Sequence, residues 1–201
     1  MQDTEKTIQI LLNGGVGVLP TDTIYGLVAR ALDQKAVDRV YKIKKRTPTK
    51  PFIILIADVK DLQLFEITPS VLSCNYYGKD KKDSLNDLVW PGPVSVVLPC
   101  NSPRFAYLRA DSNTLAFRVP DDENLRLILR KTGPLIAPSA NPEGFSPAKT
   151  IEEAKEYFAD TVDFYNDGGV LDIQPSTLIT IKNNKVVILR QGKGIIPDSL
   201  L

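Results

Sequence analysis

The residues able to do chemistry are few and bunched. Between Lys42 and Lys50 five of nine residues are cations (Lys42, Lys44, Lys45, Arg46 and Lys50), and no carboxylate lies between Asp38 and Asp58. The chain as a whole is nearly neutral, with 25 Lys and Arg against 24 Asp and Glu in 201 residues. A local cluster on a neutral background is placed to meet a local anion, not to coat the protein for nucleic acid. A second candidate is Arg118, set inside the apolar run "LAFRV". A strand guanidinium beside Phe117 and Val119 needs a partner, either a carboxylate of the protein or the anion of a ligand. A third is the stretch "SANPEGFSPAKT", where Ser139, Asn141 and Ser146 offer hydroxyl and amide groups just beyond a strand. Open α/β sheets bind ligands at such strand ends.

Each feature also has a plainer reading. Cations in the last turn of a helix suit its dipole and the solvent. "SAN" fits turn chemistry, and Thr21, Asp22 and Thr23 could cap a helix. Other chemistries are removed outright. There is no histidine, so Ser-His-Asp triads, Cys-His dyads and imidazole metal sites are excluded. The two cysteines, Cys74 and Cys100, form no CxxC and read as buried thiols in a reducing compartment.

The elements that must position these groups alternate in period. Ile8, Leu11 and Leu12 mark one face of a first helix closed by Gly14, and "VGVLP" is a short buried strand. Asp33 caps a helix with Ala36, Val37, Val40 and Tyr41 on its apolar face. "FIILIA" is an apolar strand, followed by helical pieces over Asp58–Phe65, Pro69–Tyr77 and Ser84–Val89. "VSVVL", "LAFRV" and "LIAP" are further strands. Between the last two, "DDENLRLILRKTG" has acids first, cations last and Gly133 at its end, as a helix requires. Thr150 and Glu153 form a capping box for a helix from 151, and "STLITI" with "KVVILR" around Asn183-Asn184 is a hairpin. The expected sheet is mixed and parallel-rich, in a single domain over residues 1–201.

No familiar phosphate loop explains the cations. "GGVG" at 14–17 precedes its strand, whereas a dinucleotide or P-loop turn must follow one. Lys79 and Lys193 follow glycines, but no Ser or Thr comes next, so there is no Walker A. The N-terminus lacks a secretory h-region, and "FIILIA" is far shorter than the ~20 residues that span a bilayer. The expected location is the cytoplasm, with no membrane partner.

The ordered set "PTDTIYGL", "KKRTPTKP", "WPGPVSVVLP", "LAFRVP", "APSANPEG", "STLI" and "LRQG" resembles the threonylcarbamoyl-AMP synthase family (TsaC/YrdC), from about residue 8 to 194. The resemblance is to the short form without an extra C-terminal domain. It implies a twisted open α/β sheet, mixed in direction, with helices on both sides and a central electropositive cavity. It also implies a reaction: L-threonine, bicarbonate and ATP, with Mg2+ carried on ATP as substrate, give L-threonylcarbamoyl-AMP and pyrophosphate. The product feeds N6-threonylcarbamoyladenosine formation in tRNA through a TsaD-type threonylcarbamoyltransferase. A non-catalytic module of the same fold that binds tRNA or double-stranded RNA is the alternative reading.

Carried over by position, the resemblance assigns Lys44, Arg46, Lys50, Thr114, Asn141, Thr150 and Arg190 to ATP. It assigns Thr23, Tyr25, Arg118, Ser139 and Ser176 to L-threonine, with Arg118 on the carboxylate and Tyr25 walling the site. No residue acts as a covalent nucleophile, and no metal is held by the protein itself. The chain departs from the pattern in three places. Leu55 stands where many relatives have a histidine, and Ser95 replaces a threonine. The spacing after "SAN" leaves Ser146, Lys149 or Thr150 open as the ATP contact.

Overall fold

The computed structural model describes residues 2–45, 52–72, 85–109, 112–183 and 185–200. Its strands are β1 (Gly17–Leu19), β2 (Gly26–Arg30), β3 (Ile53–Leu55), β4 (Val94–Pro99), β5 (Thr114–Arg118), β6 (Leu135–Ile136), β7 (Phe164–Tyr165), β8 (Thr177–Lys182) and β9 (Lys185–Arg190). They form one mixed sheet in the order β7-β1-β2-β6-β3-β5-β4-β8-β9. The helices are α1 (Gln2–Leu12), α2 (Gln34–Lys44), α3 (Leu85–Val89), α4 (Ala106–Arg109), α5 (Glu123–Thr132) and α6 (Ile151–Phe158).

The mixed sheet is as expected, but its balance is not. Only β1–β7, β3–β5 and β4–β8 run parallel; the other five pairings are antiparallel. An apolar run shows that both faces of a strand are covered, and says nothing about the direction of its neighbour. Two strands escape the sequence reading. β2 is buried on both faces and so has no period-2 signal, and β7 is two residues long.

Alternation along the strands divides the core. Val28 of β2, Leu55 of β3 and Leu135 of β6 meet Ile8 and Leu11 of α1 and Leu125, Ile128 and Leu129 of α5. Leu27, Ala29, Ile54 and Ile136 point the other way, into the cluster that holds α2 (Ala36, Val37, Val40) and α6 (Ile151, Ala154, Phe158). Helices therefore cover both faces. Leu12 is 40% exposed, so the buried face of α1 is Thr7, Ile8 and Leu11.

The helix ends follow their capping residues. Asp33 accepts from Ala36 N, and Asp122 accepts from Leu125 N. Thr150 accepts from Glu153 N, but Glu153 reaches back to Lys149 N, one residue before the usual partner of a capping box. The segment after Asp58 is a tighter 3₁₀ coil over Val59–Phe65.

β5 is the strand that makes a site. Leu115 and Phe117 enter the core, Phe117 against Phe65 with ring centroids 5.0 Å apart. Burying one such side chain stabilises the fold by about 1.5–3 kcal/mol. Thr114, Ala116 and Arg118 necessarily face the other way, where a cavity lies against β3, β4, β5 and β8. Among the described residues no helix is long and apolar enough to cross a membrane.

Candidate active site

The cavity holds about 470 Å³. Six of the residues singled out in the sequence line it: Thr23, Thr114, Arg118, Ser139, Ser176 and Arg190. They come from five separate segments that the sheet order brings to one place. A larger open groove of about 810 Å³, between α1, α5 and β7, contains none of them.

One end of the cavity is closed around Arg118, whose side chain is 5% exposed. Its partner is Asp22, equally buried, with Oδ1 3.1 Å from Nη2. Nη2 also donates to Thr21 Oγ1 at 3.3 Å. The question left by a strand arginine is thus answered inside the protein, by a carboxylate. Burial pushes the guanidinium below the ordinary arginine range, Asp22 counters that push, and Arg190 adds to it. Arg118 Nε has no hydrogen-bond partner. That nitrogen is itself buried, but the residue lines the cavity, and a guanidinium held there suits a ligand carboxylate.

The loop before β2 is built for this end. Thr21 Oγ1 donates to Ile24 O at 2.8 Å and accepts from Thr23 N at 3.1 Å. Thr23, 1% exposed, stands with its hydroxyl 3.1 Å from that of Thr21. "TDT" thus caps no helix; it folds on itself between two antiparallel strands. Thr21 and Asp22, read in the sequence only as a possible helix cap, are the residues of this end that no substrate assignment included. The signal for Asp22 was Arg118 itself, which needed an acid from some other segment.

The far wall of the cavity, across β4, β8 and β9, is more open. Arg190 is exposed and donates to Ser176 O at 2.7 Å. Ser176, 1% exposed, shares a 2.8 Å hydrogen bond with Ser95. The turn after β9 is pressed against this wall. A Cβ on Gly192 would lie 2.2 Å from Pro175 O, so "QGKG" needs its first glycine for close approach. Thr114 is half-buried and hydrogen-bonded to Ser112.

Over this geometry the comparisons can be laid. The Sua5/YciO/YrdC family, described as "Telomere recombination", matches residues 9–192. The chain belongs to this family. It is 30% identical over 190 residues to a threonylcarbamoyl-AMP synthase of Idiomarina loihiensis, covering 92% of this chain and 97% of that one. A crystal structure of P. abyssi Sua5 complexed with L-threonine superposes with a TM-score of 0.80 at 30% identity. That match covers 95% of this chain and 54% of the Sua5 chain, so the present chain spans about half of that relative. E. coli YciO shares the fold, with a TM-score of 0.79 at 23% identity over 100% of this chain and 93% of its own.

Within the family pattern the remaining candidates among the described residues sit off the cavity wall. Tyr25 is corrected from wall to core. Its ring is fully buried, and its hydroxyl donates to Gly169 O at 2.8 Å and accepts from Gly168 N at 2.8 Å. It supports the cavity from behind by tying β2 to the 167–169 turn. Lys44 is 1% exposed, and its ammonium donates to the carbonyls of Ser139 and Asn141. It therefore holds the "SAN" loop onto the end of α2, where Glu143 N also donates to Lys44 O at 2.9 Å. The Asn141 amide nitrogen donates to Pro142 O and Phe145 O, which leaves its buried Oδ1 without a partner.

Of the three residues left open after "SAN", none lines the cavity; Pro147 does. Thr150 is committed to capping α6, and Lys149 pairs with Asp172 at 2.8 Å. Leu55 is buried beneath α5, opposite Arg118 in the β3–β5 register. Arg46 and Lys50 lie outside the described residues, as does Cys74. Cys100 is buried, and burial pushes its thiol up, away from a reactive thiolate.

Proposed function

We propose that this chain is a threonylcarbamoyl-AMP synthase. It condenses L-threonine with bicarbonate, losing water, and joins the resulting carbamate to ATP. A carbamate oxygen bonds to the α-phosphorus, and the bond from that phosphorus to the oxygen bridging to the β-phosphorus breaks, its electron pair leaving on pyrophosphate. No protein nucleophile is needed, which suits a chain without histidine. The protein's work is positioning and charge neutralisation.

The observation that carries this reading is the single wall of β5. Arg118 stands at one end of β5 and Thr114 at the other, while Arg190 lies on the far wall, level with Ser95 and Arg118 in the register across β4, β8 and β9. Four residue steps of strand separate Arg118 from Thr114, about 13 Å at ~3.3 Å per residue. An amino acid anchored by its carboxylate at Arg118 would direct its amine into the cavity, toward a nucleotide held between Thr114 and the Arg190 wall. The cavity's described lining has two arginines and no carboxylate, which favours anionic substrates. Thr23, Ser139 and Ser176 bring the small polar groups that a hydroxyamino acid needs.

Mg2+ arrives with ATP as substrate. Arg46, Lys50 and Lys44 belong to the nucleotide end: the first two by contact with phosphate, Lys44 by fixing the 139–143 backbone. Residues 1–201 act as one unit in the cytoplasm, and the product passes to a TsaD-type transferase acting on tRNA. The test is pyrophosphate release with each of L-threonine, bicarbonate and ATP omitted in turn. Release must require all three, serine should be used weakly, and valine should not be used. Binding of double-stranded RNA without threonine-dependent release would replace the enzyme by the RNA-binding reading.

A further inference from the structure

Asp22 does not line the cavity, yet it is tied to the end that holds Arg118 at three points. Its Oδ1 is 3.1 Å from Arg118 Nη2, and both side chains are 5% exposed. Its Oδ2 accepts from Asp121 N at 3.2 Å, which links it to the chain just beyond β5. Its backbone carbonyl accepts from Lys193 Nζ at 2.7 Å, across from the turn after β9. Thr21, the preceding residue, donates its hydroxyl to Ile24 O and accepts from the same Nη2. The two neighbours thus hold one nitrogen of the guanidinium and leave Nε without a partner. The residue opposite in the β3–β5 register, Leu55, has no polar atom with which to compete for it.

We propose that Asp22 is a positioning residue for the amino-acid substrate, holding the Arg118 guanidinium on the cavity wall, where it meets the substrate carboxylate. The inference rests on the reading of the cavity as an L-threonine site. A free arginine must lose side-chain entropy each time it captures a ligand, whereas one already held by its own carboxylate has lost it on folding. Asp22 also keeps the buried guanidinium charged without occupying the cavity. Its effect is confined to the amino acid, because its contacts are with Arg118, Asp121 and Lys193 and not with the Thr114 end.

The experiment measures KM for L-threonine and for ATP by pyrophosphate release, and the shift in Tm caused by each ligand alone. Asp22→Asn should raise the L-threonine KM about 10- to 50-fold and leave the ATP KM within about twofold. The Tm shift given by L-threonine should shrink while that given by ATP persists. In an Arg118→Ala background, Asp22→Asn should cause no further loss of L-threonine binding, since it acts through that side chain. Should Asp22→Asn fail to fold, Asp22→Glu takes its place: a rise in the L-threonine KM alone supports the proposal. An equal rise in both KM values, or an unchanged L-threonine KM, overturns it. A wild-type chain that shows neither an L-threonine Tm shift nor threonine-dependent pyrophosphate release overturns the functional reading instead, and this inference with it.

Discussion

Arg118 and Arg190 face one cavity from different surroundings. Arg118 is almost wholly buried, paired with Asp22 and steadied by Thr21. Arg190 is exposed and, among the described residues, is held by Ser176 alone. Burying an ion pair brings a desolvation penalty that its attraction barely offsets, so such a pair is poor evidence of stabilisation. It does fix geometry. A small ligand with one carboxylate and one hydroxyl profits from donors already in place. A polyphosphate brings several charges of its own and tolerates a mobile, solvated arginine. The closed end is built for discrimination and the open wall for attraction.

Removing Arg118 breaks the contrast most severely. Arg118→Ala strands the Asp22 carboxylate in the interior, where an uncompensated charge costs about 3–5 kcal/mol. Denaturant unfolding should show a loss of that order, and threonine-dependent turnover should fall by at least ~100-fold. If Arg118→Ala were as stable as wild type, the closed end would not be preorganised at all.

Lys44 sharpens the contrast from the nucleotide side, because it is buried but grips carbonyls in place of a ligand. Lys44→Met should lose about 2–4 kcal/mol of stability and loosen the "SAN" loop. The ATP KM should rise with it. A loss of ATP affinity with unfolding unchanged would make Lys44 a direct ligand. On the open wall, Arg190→Ala should leave the fold within about 0.5 kcal/mol and raise the ATP KM about tenfold. The effect should weaken as salt rises.

The smallest effect lies away from the cavity and serves as a control. Asp163 is held below the usual carboxylate range first by its hydrogen bond from Arg39 and, against the opposing push of burial, also by Val16 N. A depressed folded value means stability that is present above about pH 4 and lost as pH falls through that lower value. Both side chains are more than a third exposed, so solvent screening keeps the contribution under about 1 kcal/mol. Arg39→Ala should flatten that acid limb of a Tm-against-pH curve and leave both KM values unchanged.

How much of this could be read from the sequence depends on the range of the interaction. The caps at Asp33, Asp122 and Thr150 lie within three residues of their partners and were legible. So was the need of Arg118 for a partner, since burial follows from its neighbours in "LAFRV". The identity of that partner was not, because Asp22 lies on a hairpin loop whose second strand, β2, gives no period. The wall role of Tyr25 came from the resemblance alone; the sheet turns its ring into the core. Lys44 was assigned to phosphate by the resemblance, and its carbonyl partners lie far along the chain on the 139–141 segment.

The sheet order has one more consequence, for the chain as it is being made. β4 is central in the finished sheet, but its outer neighbour is β8, whose residues follow it by about eighty positions. Until Thr177–Lys182 have left the ribosome, "VSVVL" presents a bare row of amides and carbonyls beside apolar side chains. A segment of that composition on an open edge is a template for pairing between nascent chains. The hairpin of β8 and β9 completes the wall that carries Ser176 and Arg190, and the same event seals the edge. Slow translation between residues 99 and 177 would therefore raise aggregation, and a holdase bound to β4 would relieve it.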